Sequence, residues 1–335
     1  MLFYALPKGV FYALPKGLFY GKIPVREGLC FSLRIKSRFD IIFCTRKKEE
    51  NMDFEAFVSD IEKNEWNVYG VEVYKAGKLA HSYGDTKEKH NIYSATKTVL
   101  SLAIGIAVDR GLIDVNNCVL DYLPRVNVSK MSGESLEAYK KIRLHDLMCM
   151  SVSALPFQVE SENYLDYALS FPVVAKKAFN YSNNSAYLAG VALAGALDCD
   201  VGTFIEENIF KVLGITDFSY KKSPEGYFYG ASKMELSVSS LSKIALVIYS
   251  GGTYGGKRIV SADYIKRATS IQQMNREGGY GYFLWKYRDG VSINGKWGQK
   301  CYILPENELM ISYLSHIDNN CVVRDSMERH ILGVC

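Results

Sequence analysis

The sequence of 335 residues lacks the cysteine and histidine spacings that are typical of metal sites and disulfide frameworks. Its eight cysteines form no C-x-x-C pair, and its five histidines are scattered along the chain. These spacings do not resemble those of zinc sites. Unpaired cysteines in mostly apolar surroundings favour a reducing compartment over an oxidising one. We therefore expect no metal and no cofactor.

Long apolar runs are also missing. The apolar stretch 99–108 has about ten residues, whereas a helix needs about 20 to span a bilayer. Proline and lysine interrupt every apolar run near the N terminus, so no secretory signal is recognisable there. We therefore expect no membrane span and a cytoplasmic location.

Excess charge of one sign is absent from most of the chain. Residues 1–51 carry ten Lys/Arg and four Asp/Glu, and the remaining chain carries 30 and 32. A nearly neutral body gives no electrostatic basis for binding nucleic acid or an anionic membrane. Hydrophobic residues make up 48% and charged residues 23%, which is typical of a globular protein with a substantial core. We expect a small-molecule partner, and the sequence does not indicate an oligomeric state.

The first 51 residues differ from the rest of the chain. They open with two copies of an eight-residue repeat, LFYALPKG and VFYALPKG, followed by a diverged third copy. A unit of eight residues with an internal proline is too short for a solenoid. The segment is a disordered basic tail, an interaction segment, or upstream sequence translated from an early start codon. We favour the last, because regular patterning begins directly after Met52.

The body, residues 52–335, has strand-like segments near both ends and is mainly helical between them. The strand-like segments are 67–74, 78–83, 280–287, 296–304 and 308–315. This order predicts an α+β fold, in which one antiparallel sheet is built from both ends of the body and flanked by helices. A mainly helical subdomain is expected at roughly residues 115–235.

The most informative motif is Ser94-Ala95-Thr96-Lys97, which directly precedes the apolar stretch 99–108. Residues i and i+3 share one face of a helix, so the Lys97 amine can reach the Ser94 hydroxyl and take its proton. The apolar stretch predicts a buried helix, whose N terminus favours an oxyanion and a neutral lysine. The alternative is an ordinary N-cap serine followed by a solvated lysine.

Two other Ser-x-x-Lys matches, Ser219/Lys222 and Ser240/Lys243, lack this context. The first lies in a polar stretch with proline and glycine nearby, which predicts a turn. The second lies among several serines that are suited to capping a helix. About one or two matches are expected by chance in a chain of this length. Only the Ser94 match is therefore expected to carry chemistry.

Two later segments extend the pattern. FNYSN (179–183) precedes an expected helix, and GKWGQ (295–299) is expected to open a late strand. Together with the Ser94 motif, they resemble the serine β-lactamase superfamily, which includes class C β-lactamases, penicillin-binding D-alanyl-D-alanine peptidases and related serine esterases. The resemblance extends in order along roughly residues 67–315 and implies a β-lactamase/transpeptidase-like fold.

The resemblance implies a mechanism for hydrolysis. Ser94 would attack an ester or amide carbonyl and form an acyl-enzyme, while Lys97 and Tyr181 would share the proton transfers. Asn183 would orient Lys97 and the substrate. The positive charges of Lys97 and Lys296 would stabilise the Tyr181 phenolate.

The third motif is expected to contact the substrate. The resemblance implies that the backbone N–H groups of Ser94 and Gln299 hold the oxyanion, and Gly298 leaves room for substrate beside the strand. β-Lactamases and peptidases usually have a hydroxyl residue where this sequence has Trp297, which offers stacking and apolar contact instead. We therefore favour an ester or amide hydrolase. A true β-lactamase or a D-alanyl-D-alanine carboxypeptidase is the alternative.

Other interpretations stay open. The segment 182–184 could serve as a class A second motif, but Tyr181 fits the tyrosine position better. Tyr181 could also be an ordinary half-buried aromatic residue, and Lys296 a solvated lysine on an edge strand. A non-catalytic penicillin-binding-like sensor or binding module is the alternative of another class. The presence of Ser94, Lys97, Tyr181 and Lys296 argues against such a module.

Overall fold

The computed structural model describes residues 52–158, 161–174, 178–197, 199–319 and 321–334, together with the backbone of four short strands near the N terminus. These strands form two antiparallel hairpins: β1 (Leu2–Ala5) with β2 (Phe11–Leu14), and β3 (Leu29–Ile35) with β4 (Ile41–Lys47). The rest of residues 1–51 lies outside the described residues. The interpretation of this segment as an extension with an early start stays a prediction.

A six-stranded antiparallel sheet runs through the body in the order β11-β12-β13-β14-β5-β6. The body strands are β5 (Val68–Lys75), β6 (Lys78–Gly84), β7 (His90–Asn91), β8 (Glu235–Leu236), β9 (Thr253–Tyr254), β10 (Lys257–Arg258), β11 (Trp285–Tyr287), β12 (Gly290–Gly295), β13 (Gln299–Leu304) and β14 (Leu309–Ser315). Because β14 pairs with β5, strands from both ends of the body share one sheet. This topology confirms the predicted α+β fold.

Helices cover both faces of the sheet and fill the middle of the chain. They are α1 (Phe54–Lys63), α2 (Thr96–Asp109), α3 (Arg125–Val128), α4 (Gly133–Tyr139), α5 (Leu144–Met148), α6 (Tyr164–Ser170), α7 (Asn183–Ala196), α8 (Val201–Ile205), α9 (Lys211–Leu213), α10 (Val238–Tyr249), α11 (Ala262–Thr269) and α12 (Cys321–His330). Helices α2 and α7 are buried along most of their length. The burial of α2 confirms the prediction made from the apolar stretch 99–108.

The two faces of the sheet contribute to two separate cores. Alternate residues of a strand point to opposite faces, so neighbouring residues belong to different cores. Ile293 and Ile303 face the larger core, which contains α2, α7 and α10. Tyr302 and Ile311 face the smaller core, which contains α1 and α12. The larger core therefore carries the helices that follow the Ser94 and Tyr181 motifs.

The starts of two strands differ from the prediction. The segment 280–287 is a strand only from Trp285 to Tyr287, as β11. We expected a strand over 296–304, but Lys296, Trp297 and Gly298 form the turn between β12 and β13. Trp297 has a φ of 64° and Gly298 a φ of 88°. These left-handed conformations close a hairpin and cannot continue an extended strand. The expectation that GKWGQ opens the late strand is therefore wrong, since β13 begins at Gln299.

Among the described residues, no single helix has both the length and the apolar composition needed to cross a bilayer. Asn183–Ala196 and Val201–Leu213 meet the two criteria only when they are taken together, and an 85° bend separates them.

Gly295 allows the end of β12 to approach the segment that leads into Ser94. A Cβ atom at this position would lie 2.3 Å from the Ile92 carbonyl oxygen and 2.8 Å from Gln299 Cβ. Both distances are shorter than van der Waals contact. A glycine is therefore required for β12 to pack beside the Ser94 turn.

We predict that Gly295→Ala lowers the free energy of unfolding by roughly 1–3 kcal/mol, because the added methyl group must displace backbone atoms. Urea denaturation of the variant and the parent protein measures the difference. Gly133→Ala is the matched control, since a Cβ at Gly133 meets nothing within 4 Å. Equal stability of the two variants would contradict the prediction.

Candidate active site

Ser94 lies in a strained turn at the entrance to α2. It is the middle residue of the 3₁₀ turn Tyr93–Ala95, and Tyr93 has a φ of 47°. Left-handed backbone in a bulky residue is unfavourable and persists only where its surroundings hold it. Asn91 Oδ1 accepts from the Tyr93 N–H at 2.8 Å, and Thr96 Oγ1 donates to the Tyr93 carbonyl at 2.6 Å. The half-buried Ser94 hydroxyl is thereby fixed at the start of a buried helix.

The Lys97 amine is buried at the centre of the site. Its Nζ lies 3.1 Å from Ser94 Oγ, 2.7 Å from Asn183 Oδ1 and 2.7 Å from the Ala231 carbonyl oxygen. The side chain is only 1% exposed. Burial lowers the pKa of Lys97 from 10.5 to about 7, because the charged ammonium loses its hydration. A substantial fraction of the lysine is therefore neutral near pH 7.

The contacts of Lys97 match the valence of a neutral amine. An ammonium has three N–H donors, whereas a neutral amine has two donors and one lone pair. Asn183 Oδ1 and the Ala231 carbonyl are acceptors only, so they take the two N–H groups. As an ammonium, Lys97 donates its third N–H to Ser94 Oγ. As a neutral amine, it has a lone pair left for the Ser94 hydroxyl to donate to. This arrangement is suited to removing the Ser94 proton.

Tyr181 lies against the same two side chains. Its hydroxyl forms a hydrogen bond with Ser94, and the centre of its ring is 5.1 Å from Lys97 Nζ. Burial raises the pKa of Tyr181 to about 12, and the Ser94 hydrogen bond acts in the opposite direction. Tyr181 is therefore a neutral phenol at neutral pH. The expected stabilisation of a phenolate by Lys97 and Lys296 is not observed.

Asn183 and Ser182 have different tasks at the start of α7. Asn183 is the first residue of the helix and accepts from Lys97. Ser182 is the N-cap: its Oγ accepts from the Asn184 and Ser185 N–H groups and donates to the Pro156 carbonyl. A fully buried hydroxyl engaged in capping does not favour the class A interpretation of residues 182–184.

The other two Ser-x-x-Lys pairs do not form comparable sites. Lys222 forms an ion pair with Asp200 at 2.9 Å, and Lys243 donates to the Gly214 carbonyl at 3.0 Å. Ser219 donates to Glu235, and the Ser240 N–H is capped by a neighbouring serine. In both pairs the lysine is directed to a partner other than the serine.

The third motif lies in the β12–β13 turn. The Lys296 ammonium lies 4.1 Å from the centre of the Trp297 indole, and this indole stacks on His316 with 4.8 Å between ring centroids. Lys296 is exposed. In the described part of the chain, neither Lys296 nor Trp297 forms a hydrogen bond, ion pair or ring contact with Ser94, Lys97 or Tyr181. Their roles in proton transfer and substrate stacking stay predictions.

Gln299 and Gly298 hold the turn in place. The Gln299 side chain is 1% exposed and donates to the carbonyls of Lys296 (3.0 Å) and Ser315 (2.6 Å). Ser315 Oγ in turn donates to the Gly298 carbonyl at 3.0 Å. Gly295, opposite Gln299 in the hairpin, packs against Ile92. Gln299 thus lies at the sheet end nearest Ser94, and the oxyanion role of its N–H stays a prediction.

An aromatic surface adjoins Tyr181, and sequence reasoning missed it. Ring centroids of Trp285, Phe157 and Phe179 lie 5.4, 6.1 and 6.5 Å from that of Tyr181. Phe157 is 51% exposed and Trp285 is half-buried, so the surface is open to solvent. Trp285 lies in the predicted strand 280–287, but nothing in that segment indicates where the side chain points. The Ala231 carbonyl was also missed, because a backbone acceptor has no sequence signal.

Metal binding has no support in the described part of the chain, where no group of three or more His, Cys, Asp or Glu side chains could hold a metal ion. The site consists of hydroxyl, amine, amide and phenol groups, which suit proton transfer and nucleophilic attack.

A scan against protein-family models matches residues 58–334 to the family Beta-lactamase. The chain belongs to the beta-lactamase family. A search of curated proteins finds no match. The fold, the family and the Ser94–Lys97 geometry together fit a serine hydrolase.

Solved structures of beta-lactamase-family proteins share the fold. A penicillin-binding protein homologue from Caulobacter crescentus is 15% identical with a TM-score of 0.64, and 83% of this chain and 95% of that chain are covered. A family VIII carboxylesterase is 14% identical with a TM-score of 0.66, covering 83% and 96%. A beta-lactamase from Mycobacterium bovis is 15% identical with a TM-score of 0.59, covering 81% and 99%.

We predict that the pH dependence of catalysis follows Lys97. The rate of ester hydrolysis should rise with pH through about 7, where Lys97 loses its proton, with no falling limb from Tyr181 below about pH 10. In Asn183→Asp, a carboxylate beside Lys97 favours the ammonium and should move the rising limb upward by about one to three pH units. Profiles of kcat/KM for 4-nitrophenyl butyrate measure the shift.

The exposed Asn116 provides the control for this prediction, since Asn116→Asp introduces the same charge at a residue that does not contact Lys97. Its rising limb should stay near pH 7. An unchanged limb in Asn183→Asp would exclude Lys97 as the titrating base.

Proposed function

We propose that this protein is a serine hydrolase that cleaves small ester or amide substrates through an acyl-enzyme on Ser94. The observation that carries the proposal is the geometry of Lys97: its buried Nζ lies 3.1 Å from Ser94 Oγ and 2.7 Å from two acceptors, Asn183 Oδ1 and the Ala231 carbonyl oxygen. A serine hydroxyl becomes an effective nucleophile when such a base is adjacent.

In the acylation step, Ser94 Oγ attacks the substrate carbonyl carbon and its proton passes to Lys97 Nζ. The carbonyl electron pair moves to oxygen and forms a tetrahedral intermediate. When the bond to the leaving group breaks, the leaving oxygen or nitrogen takes a proton. Tyr181, hydrogen-bonded to Ser94 as a phenol, is suited to passing that proton from Lys97 to the leaving group.

Deacylation reverses these roles. Water attacks the acyl carbon, its proton passes to the Lys97–Tyr181 pair, and Ser94 Oγ leaves with a proton. The products are a carboxylic acid and the free enzyme. No metal or organic cofactor is needed for either half of this reaction.

The Ser94 N–H supports the oxyanion. Among the described residues, it donates no hydrogen bond, whereas the next residue, Ala95, donates to the Ile92 carbonyl. A free N–H at the start of a buried helix is suited to stabilising negative charge on the substrate oxygen. The second donor that we propose, the Gln299 N–H, comes from the sheet end packed against the Ser94 segment.

The aromatic surface formed by Phe157, Phe179, Tyr181 and Trp285 supports an apolar or aromatic ester as substrate. Rings beside the nucleophile would bury the apolar part of a substrate and orient it by stacking. Among the described residues, Lys97 is the only lysine or arginine whose charged group lies over one of these four rings. We therefore favour neutral aromatic esters over β-lactams, which carry a carboxylate.

We predict that a fluorophosphonate probe adds covalently to the parent protein and fails to add to Ser94→Ala. Intact mass spectrometry measures the adduct. Ser240→Ala is the matched control, because Ser240 belongs to a Ser-x-x-Lys pair whose lysine is engaged elsewhere. It should label like the parent protein.

A different outcome would favour the non-catalytic module. If neither a fluorophosphonate nor a penicillin labels the folded parent protein, the acyl-enzyme proposal is wrong. Labelling that persists in Ser94→Ala would assign the nucleophile to another residue.

We predict that Trp285→Ala lowers kcat/KM for 4-nitrophenyl phenylacetate roughly tenfold or more relative to 4-nitrophenyl acetate, because an apolar contact with the acyl group is lost. Trp297→Ala tests the competing expectation that Trp297 stacks on the substrate. A larger loss in Trp297→Ala, or faster turnover of a chromogenic cephalosporin than of either ester, would overturn the proposed substrate class.

A further inference from the structure

A pocket of about 300 Å³ lies at the β11–β12–β13 edge of the sheet, on the face opposite to the one against which the Ser94 turn packs. Ser292 and Tyr302 are cross-strand neighbours, so their side chains share one face, and Asn294 and Lys300 form the next pair on that face. This is the face covered by α1 and α12. The Ser94 turn packs on the opposite face, against Gly295. Trp285, on the edge strand β11, also lines the pocket, although its ring packs against the larger core.

The pocket contains a cation without a partner. Lys300 is half-buried, and in the described part of the chain its side chain forms no hydrogen bond or ion pair. Burial lowers the pKa of Lys300 to about 8, and the carboxylate of Glu277 at the rim acts in the opposite direction. The other two cations of the pocket already have partners: Arg324 is paired with Asp325 at 2.9 Å, and Lys286 donates to the Asp289 carbonyl at 3.0 Å. Removing an amine from water without a partner destabilises the protein, and a bound ligand that supplies an acceptor or a negative charge would offset this cost.

The pocket also contains an acceptor without a donor. Asn294 Oδ1 is buried and accepts no hydrogen bond within the described residues. Asn294 is the direct cross-strand neighbour of Lys300, so both unsatisfied groups belong to the same site. Lys300 and Asn294 are unsatisfied groups of opposite hydrogen-bonding type, so together they favour a ligand with both an anion and a donor. The Tyr302 hydroxyl, which is also buried without a hydrogen-bond partner among the described residues, belongs to the same pocket.

The geometry points to a ligand site here: we propose that this pocket binds a small aromatic carboxylate that also carries a hydroxyl or amine group. The carboxylate would pair with Lys300, and the hydroxyl or amine would donate to Asn294 Oδ1. The rings of Trp285, Tyr287 and Tyr302 provide an apolar wall for the aromatic part. A single negative charge is favoured over a phosphate dianion, because Glu277 at the rim repels the second charge.

The pocket and the candidate active site share one wall. Trp285 lines the pocket and also lies 5.4 Å from the Tyr181 ring. A bound carboxylate would therefore touch a residue of the aromatic surface without contacting Ser94. Such a carboxylate comes either from a separate small molecule or from the distal end of a long substrate.

Mandelate is the probe that tests this proposal, because it combines a ring, a hydroxyl and a carboxylate. Isothermal titration of the full chain should show binding of mandelate, weaker binding of phenylacetate, which lacks the hydroxyl, and no binding of the neutral mandelamide. Lys300→Met keeps the length of the side chain and should weaken mandelate binding about tenfold or more. Lys257→Met, at an exposed lysine outside the pocket, should bind like the parent protein.

A second measurement keeps the test independent of variant folding and of the proposed hydrolase activity. The parent protein, with Ser94 blocked by a small fluorophosphonate or replaced in Ser94→Ala, should still bind mandelate. Competitive inhibition of ester hydrolysis by mandelate would assign the carboxylate to the substrate, and unchanged KM with altered kcat would assign it to a separate ligand. Absence of mandelate binding, equal binding by Lys300→Met, or loss of binding when Ser94 is blocked would overturn the proposal.

Discussion

The chemistry of this protein depends on one buried amine. A pKa of about 7 for Lys97, against 10.5 in water, means that the folded protein disfavours the ammonium relative to the neutral amine by about 5 kcal/mol. That cost comes from burial, since the amine has acceptors and, among the described residues, no carboxylate forms a hydrogen bond or ion pair with it. A carboxylate at either acceptor would stabilise the ammonium and remove the base. The amide of Asn183 and the carbonyl of Ala231 are neutral acceptors, so they form hydrogen bonds with the amine without favouring its protonation as a carboxylate would.

This arrangement costs stability in a defined pH window. The unfolded chain binds a proton at Lys97 below about pH 10, whereas the folded protein binds one only below about pH 7. Stability therefore falls as the pH falls through this range, and the loss is complete below pH 7. The surrounding fold must offset that loss. The buried helices α2 and α7 pack around the amine and supply the apolar contacts that do so.

Sequence reasoning succeeded where the signal was local and repeated. The apolar stretch 99–108 could belong only to an interior helix, and the i, i+3 spacing fixed the contact between Ser94 and Lys97. Strand-like segments at both ends of the body, with helices between them, were sufficient to predict that both ends share one sheet. The prediction that GKWGQ opens a strand failed because Trp297 adopts a left-handed backbone conformation, which is unusual. β-Propensity does not reveal such a conformation.

Other features had no sequence signal at all. The Ala231 carbonyl is a backbone atom, and any residue type could supply it. Trp285 was visible as an aromatic residue, but only the packing of β11 beside Phe179 and Tyr181 directs its ring to the site. The charge state of Tyr181 was misjudged for a related reason: two lysines in the sequence do not reveal which of them is close. Lys296 lies over Trp297, and burial controls the phenol instead.

Burial acts on the two proton-carrying groups in opposite directions, and the result is a site without net charge. It lowers the pKa of the lysine and raises that of the tyrosine, because in each case it disfavours the charged form. Charge then develops only when Ser94 attacks, as an ammonium on Lys97 and an oxyanion on the substrate. In a medium of low polarity these two charges attract each other strongly. A neutral site of this kind binds a neutral substrate weakly and its charged transition state tightly, which is the condition for catalysis.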